Sequence, residues 1–305
     1  MKQDFIFDTI ILGGSYAGLS AAMALGRSLR TVLIIDNDKP CNRQTPHSHN
    51  FLTQDGKTPA EISAVAREQV ALYDTVQFLS DSVTTASSSE EIFTIETITQ
   101  KQFRAKKLII ATGIRDIMPL IPGFADSWGI SVIHCPYCHG YEFRGKRNGI
   151  LVPEDPAAAL HLSGLVKNLS DDVTLFTNGK NPFDDAQLSN FANRDIHVNS
   201  SKIAEIIHQN GNIAHLTFEN GELVALDALY ARVPFDLHHN IAEQLGCSKT
   251  EMGLLQVDAF QKTTVPGIYA CGDICNPMRS VASAVYTANL AGAMVNMALC
   301  EEHPQ

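Results

Sequence analysis

The chain has 305 residues, 45% of them hydrophobic, and a formal net charge of −10. That length points to about two domains. The acidic balance excludes nucleic acid as a partner, because no basic stripe is present to neutralise phosphates, and seven cysteines in so long a chain exclude a disulfide scaffold.

At the N-terminus, Asp4 and Asp8 interrupt the apolar run, so no secretion signal is read. No apolar stretch approaches the ~20 residues of a membrane span. A cytoplasmic protein is expected, and in a reducing compartment a Cys-x-x-Cys is more often metal-binding or catalytic than structural.

Residues 8–12, DTIIL, form a buried-strand run. GGSYAG follows at 13–18, then a helix through Leu25, then a strand at 31–36. A glycine turn between a strand and a helix is the setting of a dinucleotide site. Gly13 permits the tight turn, Gly18 brings the helix close to the strand, and the helix N-terminus faces a pyrophosphate. Asp36 ends the second strand, where an acid accepts hydrogen bonds from a ribose. Ser15 replaces the middle glycine of the usual G-x-G-x-x-G pattern. Two later stretches complete the set. KLIIATG at 107–113 is a strand ending in a small-residue turn, and VPGIYACGDI at 265–274 is a strand ending in Gly272–Asp273, followed by a small-residue helix.

Together these motifs resemble the FAD domain of the two-dinucleotide-domain flavoprotein disulfide reductases. The insert between the halves carries HCPYCHGYE at 134–142 near its start, and that order is similar to the low-molecular-weight thioredoxin reductases. The resemblance covers nearly the whole chain. It implies two doubly wound, Rossmann-like α/β domains and a homodimer. Residues 1–116 and 245–305 would form a discontinuous FAD domain, and 117–244 an inserted NAD(P)-type domain carrying the cysteines. It also implies FAD bound by Gly13, Gly14, Ser15, Ala17 and Gly18, by Asp36, Asn37 and Arg43, by Val83, Ala111, Thr112 and Gly113, and by Gly272, Asp273, Ser280 and Val281.

The insert keeps the architecture of a nucleotide unit: a strand and helix across 148–166, then a strand at 172–177. Its chemistry departs from the family. Pro153-Glu154-Asp155-Pro156 stands where G-x-G-x-x-A is usual, removing backbone donors and placing negative charge at the phosphate position. Thr177-Asn178-Gly179 stands where the family carries a His-Arg-Arg for the 2′-phosphate of NADPH. Ordinary NADPH binding is therefore expected to be lost, an altered mode being the alternative. The remainder of the insert reads as β-structure, with hairpin signals at 209–212 and 219–222.

Cys135 and Cys138 fit zinc, a structural staple or a redox pair. Zinc needs about four ligands, and the best second pair, Cys271 and Cys275, sits where a buried residue suits the flavin fold. No metal is expected, and Cys41, Cys247, Cys271, Cys275 and Cys300 read as structural. A helix starting at the pair would lower a thiol pKa. By the family pattern Cys138 lies against the flavin, Cys135 exchanges with substrate, and an Asp after the second cysteine serves as acid–base. Here that residue is His139, whose imidazole can move protons near pH 7. The C-x-x-C-H-G form resembles the gliotoxin- and holomycin-type dithiol oxidases, which close dithiols and use oxygen as acceptor. His134 is expected to pack. The segment after Cys41–Arg43 runs beneath the flavin in the family, so His47 or His49 could face the substrate side; a solvated loop histidine is the equal alternative for each.

The expected function is an FAD-dependent thiol–disulfide oxidoreductase acting on a small-molecule dithiol or a thioredoxin-like protein. Dithiol oxidation is the favoured direction. The rivals are a reductase driven by ferredoxin or flavodoxin, docking on Arg144, Lys146 and Arg147, and a flavin-containing redox sensor.

Overall fold

The computed structural model describes residues 5–152 and 155–302. In chain order the strands are β1 (Ile6–Leu12), β2 (Val32–Asp36), β3 (Val76–Ser80), β4 (Val83–Ser89), β5 (Ile92–Thr97), β6 (Gln102–Ile110), β7 (Ile114–Asp116), β8 (Val132–Ile133), β9 (Asn148–Leu151), β10 (Val173–Phe176), β11 (Ile196–Asn199), β12 (Ile203–Gln209), β13 (Asn212–Phe218), β14 (Leu223–Ala225), β15 (Ala228–Ala231), β16 (Phe235–Leu237) and β17 (Ile268–Ala270). The helices are α1 (Tyr16–Arg27), α2 (Pro59–Ala71), α3 (Phe124–Ser127), α4 (Pro136–His139), α5 (Pro156–Lys167), α6 (Asp185–Asn193), α7 (Ile241–Gln244) and α8 (Val281–Glu301). Among the described residues no helix is long and apolar enough to cross a membrane.

The chain divides into two compact units. The first comprises Met1–Arg43, Pro59–Arg115 and Asp236–Gln305. Its sheet runs β3-β2-β1-β6-β5-β4, with β17 also paired to β6. Strand β6 is long enough to serve two neighbours on one edge: residues from Gln102 to Ala105 pair antiparallel with β5, and Leu108 to Ile110 pair parallel with β17. The parallel strands are apolar almost throughout because both their faces are covered. In β1, Ile10 and Leu12 enter one core cluster with Leu33, Leu108 and Ile268, while Ile11 turns to the opposite face, towards Gly18 of α1. Helices α1 and α8 meet through small residues. A Cβ on Gly292 would stand 2.8 Å from the Ala21 carbonyl oxygen.

The second unit comprises Gln44–Thr58 and Asp116–Phe235. Residues 44–58, within the first expected FAD segment, thus make their contacts here. An all-parallel sheet of order β11-β10-β9-β15-β8 forms its centre. On one face Ala159, Leu162 and Val166 of α5 and Phe191 of α6 pack on Ile150, Leu175 and Tyr230. The other face is covered by Phe124 and Trp128 and by the antiparallel sheet β12-β13-β14 through Ile206, Leu216 and Phe218. The β12–β13 turn takes Asn210 and Gly211 at φ 50° and 80°, the left-handed pair that an Asn-Gly hairpin favours. Ser131 ties this turn to the unit, donating to the Gly211 carbonyl at 2.6 Å and accepting from the Ile213 amide at 3.0 Å.

Candidate active site

In the first unit the glycine turn is built as its residues require. Gly13 has φ 98°, and a Cβ there would lie 2.4 Å from the Ala111 carbonyl oxygen. A Cβ on Gly18 would lie 1.8 Å from the Gly13 carbonyl oxygen. The turn, the end of β6 and α1 are therefore in backbone contact. Ser15 is the N-cap of α1 and makes no side-chain capping bond, and no acidic residue occupies the first turn. The amides of this helix N-terminus are thus turned to an anion without competition from a carboxylate. Asp36 lies beside the turn, its Cβ 2.9 Å from where a Gly14 Cβ would be. At the end of β6, Thr112 Oγ1 is buried without a hydrogen-bond partner among the described residues, and Gly113 has φ 64°. Ala17 is buried and lies against Gly272, which has φ 77° and donates its amide to Thr287 Oγ1 at 3.0 Å. Asp273 pairs with Arg279 at 3.7 Å. Ser280 caps α8, accepting from the Ser283 amide at 3.1 Å, and Val281 is the first residue of that helix. Asn37 Nδ2 donates to Ser82 Oγ at 3.4 Å, Val83 opens β4, and the exposed Arg43 donates to the Pro40 carbonyl at 3.1 Å. An orphaned hydroxyl, an open helix N-terminus and glycine cradles that a Cβ would fill suit a dinucleotide, and FAD fits this set.

The second unit holds the cysteine pair. Cys135 is the N-cap of α4, with φ −128°, and its carbonyl accepts from the amides of Cys138 and His139, each at 3.2 Å. This turn brings the two Sγ atoms to 3.1 Å, so a modest rotation closes them to the ~2.05 Å of a disulfide. The expected helix at the pair is a single turn, four residues ending at His139, followed by a 3-10 turn at Tyr141–Phe143. Pro136 starts that turn, and a Cβ on Gly140 at its end would lie 2.3 Å from the Pro136 carbonyl oxygen. A dipole summed over one turn is small, so the surroundings of His139 matter more.

His139 Nε2 lies 3.1 Å from the carbonyl oxygen of His47. A carbonyl only accepts, so Nε2 carries the proton and Nδ1 is the basic nitrogen of the neutral ring. Burial pushes the His139 pKa below its ordinary value, the bond to His47 and the charge of Glu142 oppose that shift, and His49 reinforces it. At neutral pH the ring is therefore neutral and able to take a proton. His47 Nδ1 in turn donates to the Gly56 carbonyl at 2.9 Å. His49 lies 3.5 Å from Asp55 through Nδ1 and 3.5 Å from Glu142 through Nε2. The structure thus gathers Cys135, Cys138, His139, His47 and His49. It also adds Asp55 and Glu142, which carry no motif and were visible in the sequence only as carboxylates near histidines.

His134 faces Trp128, ring centroids 6.3 Å apart. Cys271 is fully buried, which pushes its pKa well up, and burial pushes Cys275 to about 12; neither is poised as a thiolate. Among the described residues no group of three or more His, Cys, Asp or Glu is arranged to hold a metal.

Pro153 and Glu154 of the second nucleotide turn lie outside the described residues. Asp155 is described, and it is the N-cap of α5, accepting from the Ala157 amide at 3.0 Å. Asp followed by Pro at the first helical position is a readable helix start. Thr177 is buried at the end of β10, and Asn178 Oδ1 accepts from the Ile203 amide at 2.9 Å. The basic trio is partly committed: Arg147 holds Asp227 with Nε at 2.8 Å and Nη2 at 2.9 Å, and Arg144 covers the Tyr141 ring at 3.9 Å.

Residues 7–288 match the pyridine nucleotide-disulphide oxidoreductase family. Thioredoxin reductase tcpT of Claviceps purpurea is 33% identical over 308 residues, spanning 98% of this chain and 96% of that protein. Thioredoxin reductase sirT of Leptosphaeria maculans is 30% identical, spanning 95% of this chain and 94% of that protein. An oxidoreductase from Agrobacterium tumefaciens superimposes with a TM-score of 0.91 at 37% identity, covering 99% of this chain and all of that one. From glycine turn to terminal helix, the chain belongs to the pyridine nucleotide-disulphide oxidoreductases, as an FAD-dependent disulfide oxidoreductase of the thioredoxin reductase type.

Proposed function

We propose that the enzyme oxidises a dithiol at the Cys135–Cys138 disulfide and does not draw electrons from NADPH. The observation that carries this reading is the Asp155 carboxylate bonded to the N-terminus of α5, where a bound nucleotide would need its phosphate. A carboxylate there competes with the ligand for the same amides and repels its charge. The related proteins named thioredoxin reductase support a thiol–disulfide exchange, and the C-x-x-C-H-G sequence supports the oxidative direction.

A substrate thiolate attacks Cys135 Sγ, forming a mixed disulfide and releasing Cys138 as the thiolate. The second substrate thiol then attacks the substrate sulfur of that mixed disulfide, and Cys135 leaves as a thiol. The product is the substrate disulfide, and the cysteine pair has gained two electrons. His139, with Nδ1 as base, takes a thiol proton in this exchange. FAD, when bound, supplies the two-electron acceptor for the reduced pair, with oxygen or another oxidant as the final acceptor. Reduction by ferredoxin or flavodoxin is disfavoured, because Arg147 is already held by Asp227.

The test is anaerobic. Flavin absorbance is followed in the purified holoenzyme with NADPH, NADH, dithiothreitol and reduced ferredoxin in turn, and in Cys138→Ser. Dithiothreitol should bleach the parent flavin and fail with the variant. Stoichiometric bleaching by NADPH within seconds would falsify the reading.

A further inference from the structure

The segment 44–58 is a closed loop. Ser48 and Lys57 join through an amide-to-carbonyl bond of 2.7 Å, Gly56 returns its amide to Ser48 at 2.9 Å, and the Asn50 amide donates to Asp55 Oδ1 at 2.7 Å. The loop touches the dithiol segment through both His47 and His49. The His47 carbonyl accepts from His139, 92 positions away in sequence, and the His49 ring reaches Glu142. Each nitrogen of His49 faces a carboxylate, Asp55 of its own loop on one side and Glu142 on the other. A neutral imidazole has one N–H and can satisfy one of them. A ring carrying both protons satisfies both, as two charge-assisted bonds. The ring is only 21% exposed, and its edge meets the His139 ring with centroids 6.1 Å apart. The titratable groups around it are Asp55, Glu142, His47 and His139.

We propose that His49 is a positioning residue, a clip between Asp55 and Glu142 that fastens the 44–58 loop onto the dithiol segment so that the His47 carbonyl holds His139 with Nδ1 as its base. After burial, the nearness of His49 adds to the lowering of the His139 pKa. The loop does for His139 what an orienting acceptor does for a catalytic histidine elsewhere: it fixes the tautomer through the nitrogen that does no chemistry. The inference deepens the dithiol reading and rests on it for the role of His139, though not for the clip itself.

The experiment uses the oxidised holoenzyme with labelled imidazoles, in the parent, His49→Ala, His49→Gln and His49→Arg. Nitrogen NMR reads the tautomer of His139 without any turnover. The parent should show His139 protonated at Nε2. In His49→Ala and His49→Gln the two tautomers should mix. Arg, whose fork can hold two carboxylates, should restore the parent tautomer. FAD content, unchanged across the set, shows that the fold has survived. Dithiothreitol-driven flavin reduction should fall about 10- to 100-fold in His49→Ala, as expected for a misplaced base, with partial recovery in His49→Arg. The acid limb of the pH–rate profile should also move to higher pH in His49→Ala, because His139 then protonates more readily. A parent-like His139 tautomer in both His49→Ala and His49→Gln overturns the proposal. Mixed tautomers with an unchanged rate uphold the clip and overturn the role of His139 as base. A parent enzyme that dithiols do not reduce overturns the dithiol reading, and the NMR still decides the clip.

Discussion

Gly18→Ala isolates the contact on which the FAD site is built. The added methyl would lie 1.8 Å from the Gly13 carbonyl oxygen, and real Cβ contacts do not fall under 3.0 Å. Neither partner can yield by a side-chain rotation, because the obstacle is backbone. Gly13 is pinned by its own amide bond to the Ile35 carbonyl at 2.8 Å, and α1 by the bond from the Leu19 amide to the Ser15 carbonyl at 2.9 Å. Relief therefore lifts the glycine turn from the helix. Overpacking of this kind costs about 1–3 kcal/mol, and losing the Gly13 hydrogen bond adds about 0.5–1.5 kcal/mol. The displaced atoms are those expected to meet the pyrophosphate, so most of this cost should appear in cofactor binding. At about 1.4 kcal/mol per tenfold, FAD affinity should fall at least about tenfold and up to about 10³-fold. Titration of the apoprotein with FAD, followed by flavin fluorescence, measures the change, and thermal melts of apo and loaded protein separate binding from folding. Affinity within about twofold of the parent would mean that the turn relaxes freely, and the account of a rigid cradle would fail.

Two stability predictions test the second unit. Gly164→Ala, inside α5 with Arg194 Nη2 its nearest neighbour at 3.6 Å, should stabilise the protein by up to about 1 kcal/mol through helix propensity, read as a raised denaturation midpoint; a fall would show hidden crowding on that face. Ser131→Ala removes the partner of both the Gly211 carbonyl and the Ile213 amide and should cost about 2–4 kcal/mol, since two buried backbone groups are left unpaired; a loss below about 1 kcal/mol would mean that water replaces the hydroxyl.

The elements legible in the sequence are those whose physics is local. The run DTIIL, the turn at Gly13 and the stretch through Leu25 read as a strand, a turn and a helix, because parallel strands buried on both faces are apolar without interruption. The Asn210–Gly211 hairpin was legible for the same reason, since two adjacent residues must adopt left-handed backbone. Strand β4, VTTASSS, was not, because it is polar and largely exposed and is held by its pairing with β5 rather than by its own pattern. The Cys-x-x-Cys and His139 were legible as chemistry. Their support was not, because the group that fixes His139 is a backbone carbonyl 92 positions away. A carbonyl is present at every residue and leaves no signature.

The two nucleotide-type turns make the same point in reverse. Helices α1 and α5 each have 12 residues, each follows a buried strand, and each projects the same partial charge from its N-terminus. The architecture therefore does not distinguish them. What does is one residue at each N-cap. Ser15 makes no side-chain bond to its helix, and no acidic residue occupies the first turn. Asp155 spends its carboxylate on the Ala157 amide. A phosphate approaching α5 must displace that bond and accept the repulsion of the capping carboxylate, whereas at α1 no carboxylate caps the amides. An Asp cap of this kind stabilises α5 at the place where a nucleotide phosphate would bind. On the proposed reading the second unit thus keeps its sheet, its helices and its dithiol while its nucleotide chemistry is removed. On that reading the dithiol then takes its electrons from a substrate thiol.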